Sequence, residues 1–127
     1  MTQPATHDVR VVVTPQYLPE RSDPRGNVWM HAYHVRIRNE GKTRVRLVSR
    51  HWIITNGRGE VEQVRGPGVV GEQPVLGQGE EFHYTSGCPL DTPVGTMHGT
   101  FQMVAEDGTT FDAEISPFTL AEPYAIN

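Results

Sequence analysis

Three groups of residues in this 127-residue chain could do chemistry. The first is Gly66–Gly71, GPGVVG, which satisfies G-x-G-x-x-G. In dinucleotide-binding turns such glycines open a helix inside a βαβ unit, and the helix N-terminus holds a pyrophosphate. The second is Cys88, the only thiol, with His83 and His98 on flanking segments. Cysteine and histidine together are the parts of an activated nucleophile. The third is the set of six histidines, His7, His31, His34, His51, His83 and His98. Imidazole is the commonest metal ligand.

Each group needs a scaffold. After the glycine motif comes Glu72–Glu80, EQPVLGQGE, where Pro74, Gly77 and Gly79 exclude a helix. The acidic residue wanted about 20 positions on falls at Asp91, inside a Pro/Gly stretch rather than at a strand end. The dinucleotide reading therefore fails on context. Two uses of the glycines remain. Backbone amides of Gly66, Gly68 and Gly71 can face an anion without any helix, helped by Arg65 or Arg58. Alternatively the glycines only let the chain cross between sheets, and this is the favoured reading. Cys88 is expected to be structural, because cysteine usually behaves as a small apolar residue. The histidines form no CxxC or HxxxH pattern. His31 and His34 lie three apart in a strand and face opposite sides, and His34 shares its face with Arg36 and Arg38. The pairs Glu80-Glu81 and Glu106-Asp107 lack the dense oxygen spacing of a calcium site. No catalytic residue, cofactor or metal site is expected.

The elements that must position these residues read as strands. Asp8–Leu18 is β-branched and interrupted by Pro15, as in an edge or bulged strand. Val28–Asn39 places Val35 and Ile37 against Arg36 and Arg38. Arg44–Asn56 alternates, then turns apolar through Trp52–Ile54. Asn56–Gly59, NGRG, is a hairpin turn before the strand Glu60–Arg65. Glu80–Ser86 places Phe82 and Tyr84 on one face. Gly87–Gly95 is expected to be a loop, with two prolines and two glycines. Thr96–Glu106 and Thr110–Phe118 alternate around an Asp107-Gly108 hairpin, and Thr119–Asn127 reads as a loosely held tail. About seven antiparallel strands with one apolar face each predict an all-β sandwich of the immunoglobulin or fibronectin type III kind, with a small barrel as the alternative.

Composition agrees. The 13 glycines and 10 prolines recur along the whole chain, leaving little room for helices. No apolar run is long enough to span a membrane, the N-terminus MTQPATHDVR has no apolar signal core, and a single cysteine suits the cytoplasm. All 11 Lys and Arg lie at or before Arg65, while nine acidic residues and no cation follow. The simpler reading is that oppositely charged regions meet in the fold; the sharper one is an arginine face for an acidic partner. Nucleic acid is not expected at a sequence pI of about 5.8. Arg36, Arg38, Arg44 and Arg46 are expected to be solvated or to face Glu106, Asp112 and Glu114.

Three longer strings carry a resemblance. WIITNGRG, GPGVVGEQP, and YTSGCPLDTPVGTM followed by GTFQM occur in that order, and from about Val9 to Leu120 the chain resembles the ApaG family. The resemblance implies one domain over residues 1–127, with its core at about 8–120, folded as a fibronectin type III-like sandwich. It implies a bacterial cytoplasmic protein, in a family linked to cobalt resistance and magnesium efflux, whose genes lie near one for a diadenosine tetraphosphate hydrolase. Similar domains occur in F-box subunits of ubiquitin ligases and in a DNA polymerase delta-interacting protein, which implies a protein-binding module. The family brings no established catalytic residues. Its glycine motif, matched by Gly66, Gly68 and Gly71, implies pyrophosphate binding as the alternative. The expected function is a non-enzymatic interaction module whose partner contacts involve the loops at Gly66–Gln73 and Gly87–Gly95. Trp29, Trp52 or Tyr17 are candidate anchors if exposed, core residues otherwise, and a homodimer through an edge strand is a further expectation.

Overall fold

The computed structural model describes residues 8–123. Eight strands follow one another: β1 Val9–Tyr17, β2 Trp29–Asn39, β3 Val45–Asn56, β4 Val61–Pro67, β5 Val75–Leu76, β6 Glu81–Leu90, β7 Val94–Ala105 and β8 Thr110–Ala121. Two single 3-10 turns, Pro19–Arg21 and Pro24–Gly26, bridge β1 to β2. Every strand pair is antiparallel. One sheet has the order β1-β2-β6; the other runs β4-β3-β7-β8, with β5 beside β3. The two face each other as a sandwich, since each sheet has one apolar face to bury.

Alternation decides what goes inside. Val35 and Ile37 of β2 are buried while Arg36 and Arg38 are not, and Met97, Phe101 and Met103 of β7 are buried between outward polar residues. Trp52 sits at the centre, its ring edge-on to Tyr33, Phe101 and Phe118 at centroid distances of 5.3, 6.1 and 6.0 Å. Edge-to-face aromatic packing of this kind adds to the energy of burial. Opposite Trp52 in the ladder lies Gly99. A Cβ there would stand 2.0 Å from the His51 carbonyl oxygen, so only glycine lets β7 pass β3 at this point.

Four expectations change. The two-residue β5 brings the count to eight, its Leu76 pairing with Val45. Gly87–Gly95 is not a loop: β6 continues to Leu90, and only Asp91–Pro93 separates it from β7. The reason lies in the ladder. The Asn39 N–H donates to the Glu80 carbonyl at 3.0 Å, which sets the bonded residues of β6 as Phe82, Tyr84, Ser86, Cys88 and Leu90. Pro89 therefore faces outward from an edge strand, where its missing N–H costs no ladder bond. The tail is held as far as it is described: β8 runs to Ala121 and Leu120 is wholly buried. The Trp29 Nε1–H then donates to Glu122 at 3.0 Å. Residues 124–127 lie outside the described residues. Finally, of the two readings of Arg36 and Arg38 only contact with the last strands fails: both side chains are well exposed, at 44% and 41%, and they meet Glu81 and Glu40, because the register sets Arg38 opposite Glu81.

Pro15 does sit in an edge strand, and NGRG does join β3 to β4.

Candidate functional site

The glycine motif is a hairpin. Val69 and Glu72 exchange backbone hydrogen bonds of 2.8 and 2.9 Å around Val70 and Gly71. Both central residues have positive φ, +42° and +82°, as a type I′ turn requires. The Gly68 N–H donates to the Val48 carbonyl at 2.8 Å. Gly68 is itself left-handed at φ +58°, and a Cβ on it would lie 2.2 Å from the Glu72 oxygen. The amides of Val69 and Glu72 thus serve the turn, and that of Gly68 extends the ladder to β3. Gly66 lies under the Arg50 guanidinium, whose Nη1 donates to the carbonyls of Pro67 and Gly68 at 3.0 Å each.

The two arginines read with this loop separate. Arg65 adjoins Gly66 on β4 and stands opposite His51. Arg58 sits at the β3–β4 turn, beyond the far end of β4, about 17 Å of strand away at ~3.3 Å per residue. There it pairs with Glu60 and Asp91 at 2.7 and 2.6 Å.

The candidate nucleophile group is dispersed by the pleat. Cys88 points into the core, 4% exposed, and burial pushes its thiol up to about 11. His83, five residues earlier on β6, points to solvent, and His98 lies on β7 in the other sheet. Trp29 and Trp52 are buried and Tyr17 half-buried, so both tryptophans belong to the core rather than to a contact surface.

The structure assembles two arrangements that sequence spacing did not show. On the outer face of the three-stranded sheet, Thr85 Oγ1 lies 3.0 Å from His34 Nδ1. His34 Nε2 is 3.1 Å from His83 Nδ1, and His83 Nε2 is 2.9 Å from Glu81. Arg38 donates to the same carboxylate at 2.9 Å. The hydrogen bond from His83, then that from Arg38, holds the Glu81 carboxyl below its ordinary range. His34 and His83 meet only through the β2–β6 register, 49 residues apart in sequence.

The second arrangement is a side of the sandwich. β1 packs against β8 along one side, but no comparable packing joins β4 to β6 on the other. Among the described residues both β4 and β6 pair on one side only. Between them, at the end that holds the β3–β4 turn, opens a cleft of about 410 Å³. Ile54, Val28, Val61 and Leu90 supply its apolar walls; Glu60, Glu62 and Asp91 stand at its rim. Val61 is 59% exposed and Val28 37%. The sequence marks Val61 and Glu62 as part of a short strand beside a turn, but not the gap opposite them.

An antiparallel two-sheet sandwich open along one side, with free strand edges there, defines the class. The comparisons carry this further. The family model described as the ApaG domain matches residues 19–105. Protein ApaG of Dechloromonas aromatica is 53% identical over 127 residues, all of both chains. A crystal structure described as the ApaA protein from Bordetella pertussis superposes with a TM-score of 0.90 at 51% identity, covering 98% of this chain and 100% of that one. The C-terminal domain of wzt shares the fold alone, with a TM-score of 0.52 at 14% identity, over 92% of this chain and 74% of that one. This chain belongs to the ApaG family.

Proposed function

We propose that the chain is a non-enzymatic module that binds a protein partner along its open side. One observation carries this reading. Among the described residues, two unpaired strand edges border a cleft that leaves Val61 59% and Val28 37% exposed. Sheet edges present backbone donors and acceptors, and native proteins cover or blunt those that have no use. A role in cobalt resistance or magnesium efflux would then run through the partner. The test is a photo-crosslinking residue placed at Val61 on the open side, and at Thr14 on β1 as control. A discrete protein adduct from position 61 and none from 14 is the expected result. No adduct, or the same adducts from both positions, overturns it.

A second reading, binding of a pyrophosphate-type anion, draws on a different observation. Arg50, Arg65 and His51 line a groove of about 660 Å³ beside Gly66 and Gln73, with Asp112 at its far side. The cations there, rather than the turn's amides, would hold the anion. An amide NMR titration with pyrophosphate, then with diadenosine tetraphosphate, tests it. Saturable shifts at Arg50, Arg65 and Gly66–Gly71 are required; unmoved spectra at millimolar anion remove it.

A further inference from the structure

The geometry points to an extended peptide with a Lys or Arg as the occupant of the open side, added as a strand to the free edge of β4. This rests on the protein-binding reading above and names the chemistry of the partner. The backbone supplies the first argument. The Asn56 N–H donates to the Glu60 carbonyl at 3.0 Å at one end of the β3–β4 ladder, and Gly68 to Val48 at 2.8 Å at the other. Those bonds fix the alternation: Glu62, Val64 and Gly66 bond to β3, while Val61, Gln63 and Arg65 turn their N–H and C=O groups away from it. Three successive outward positions form a template for an added strand. Pro67 lacks an N–H, and its carbonyl already accepts from Arg50, so the template ends there.

The side chains supply the second. Glu62 stands opposite Ile54 in register and shares its inward face, over the cleft. An inward-pointing charge on an edge strand discourages indiscriminate pairing. The other two rim carboxylates are engaged: Glu60 and Asp91 both accept from Arg58 and from Asn56. Among the described residues Glu62 has no ion pair. A strand laid on β4 brings a side chain beside Glu62 and over the apolar wall of Ile54, Pro89 and Leu90. Lys and Arg satisfy both demands, with an aliphatic stem on the wall and a cation at the carboxylate. An acidic strand would set like charges side by side, which is destabilising. On the opposite face the added strand would meet Val61, which suits an apolar residue, so alternation of apolar and basic residues is the fit.

The experiment uses the full chain and three probes: the capped peptide VKVKVKV, its acidic counterpart VEVEVEV, and VKVKVKV with alternate amides N-methylated. NMR titration is expected to give saturable shifts with the first at Val61, Gln63, Arg65 and Ile54, and none with the others at about 1 mM, the weak end of specific affinity. Gln63→Pro removes an outward N–H and no backbone bond to β3, losing only the exposed side-chain contact with His51 at 2.8 Å, so it should fold and weaken VKVKVKV at least roughly tenfold, about 1.4 kcal/mol. Glu62→Lys should reverse the preference toward VEVEVEV. The inference is overturned if VKVKVKV fails to bind, binds Gln63→Pro equally, or shifts another surface. It is equally overturned if sedimentation shows a dimer that Gln63→Pro dissociates, since a second copy would then own the edge. Crosslinks from position 61 that persist in Gln63→Pro would spare the protein-binding reading and defeat only the strand-addition one.

Discussion

The two sides of the sandwich are built from the same kind of strand and treat it oppositely. β1 and β8 close one side by packing on each other, so Val9 and Val11 of an edge strand are buried as fully as any central residue. β4 is also an edge strand, yet of its inward residues Val64 is only partly buried and Glu62 is exposed, with no ion pair among the described residues. An edge strand's place at the rim of a sheet therefore does not decide its burial; what packs across from it does. One side spends its apolar side chains on stability, and the other leaves them at the surface.

Substitutions can break or sharpen that contrast. Phe101→Ala, in the wholly buried core, should cost about 3–5 kcal/mol in denaturant unfolding. Val61→Ala on the open side should stay within about 0.5 kcal/mol, as at ordinary surface positions. Comparable losses at the two positions would erase the distinction. Gly68→Ala should come next, at about 2 kcal/mol, because the left-handed backbone and the Glu72 oxygen both oppose a Cβ. A neutral Gly68→Ala would mean the turn beside β4 is not rigid.

A smaller effect depends on pH. His31 is buried, and burial pulls its pKa below the ordinary 6.5. The unfolded chain takes up that proton near pH 6.5 while the folded chain does not, so stability falls as pH drops below 6.5 and levels off past the folded-state value. Unfolding midpoints at pH 7.5 and 5.5 should differ less in His31→Phe than in the parent chain; an equal difference in the two would remove His31 as the cause. The smallest effect is a gain. Val70 holds φ +42° in a turn position that favours Asn, so Val70→Asn should raise stability by roughly 0.5–1 kcal/mol, read from the thermal midpoint. An unchanged or lower midpoint would show that Val70 is not strained.

Much of this was legible in the residues themselves. Period-two alternation in Val35–Arg38 and Met97–Met103 assigned the faces, and NGRG marked a hairpin. Pro89 and Gly87 misled, because their effect depends on whether the strand is at an edge, which is a tertiary property. The glycine motif was visible, but which residue takes the strained position was not: Val70, a residue that rarely has positive φ, does so beside Gly71. The His34–His83–Glu81 chain exists only through strand register, and the cleft only through the gap between two sheets. Neither leaves a local signature.

One feature of the topology bears on how the molecule would carry load. Val9 starts β1 at the end of the sandwich marked by Asn39, and Ala121 finishes β8 at the opposite end, beside Val94. Tension between those points runs along the strand axes, so β1 slides against β2 and β8 against β7. Ladder bonds loaded in that direction share the force instead of opening in turn. Under such tension the domain would yield as a single abrupt event governed by its unfolding rate, and its mechanical resistance would come from the closed side, leaving the open one unstressed.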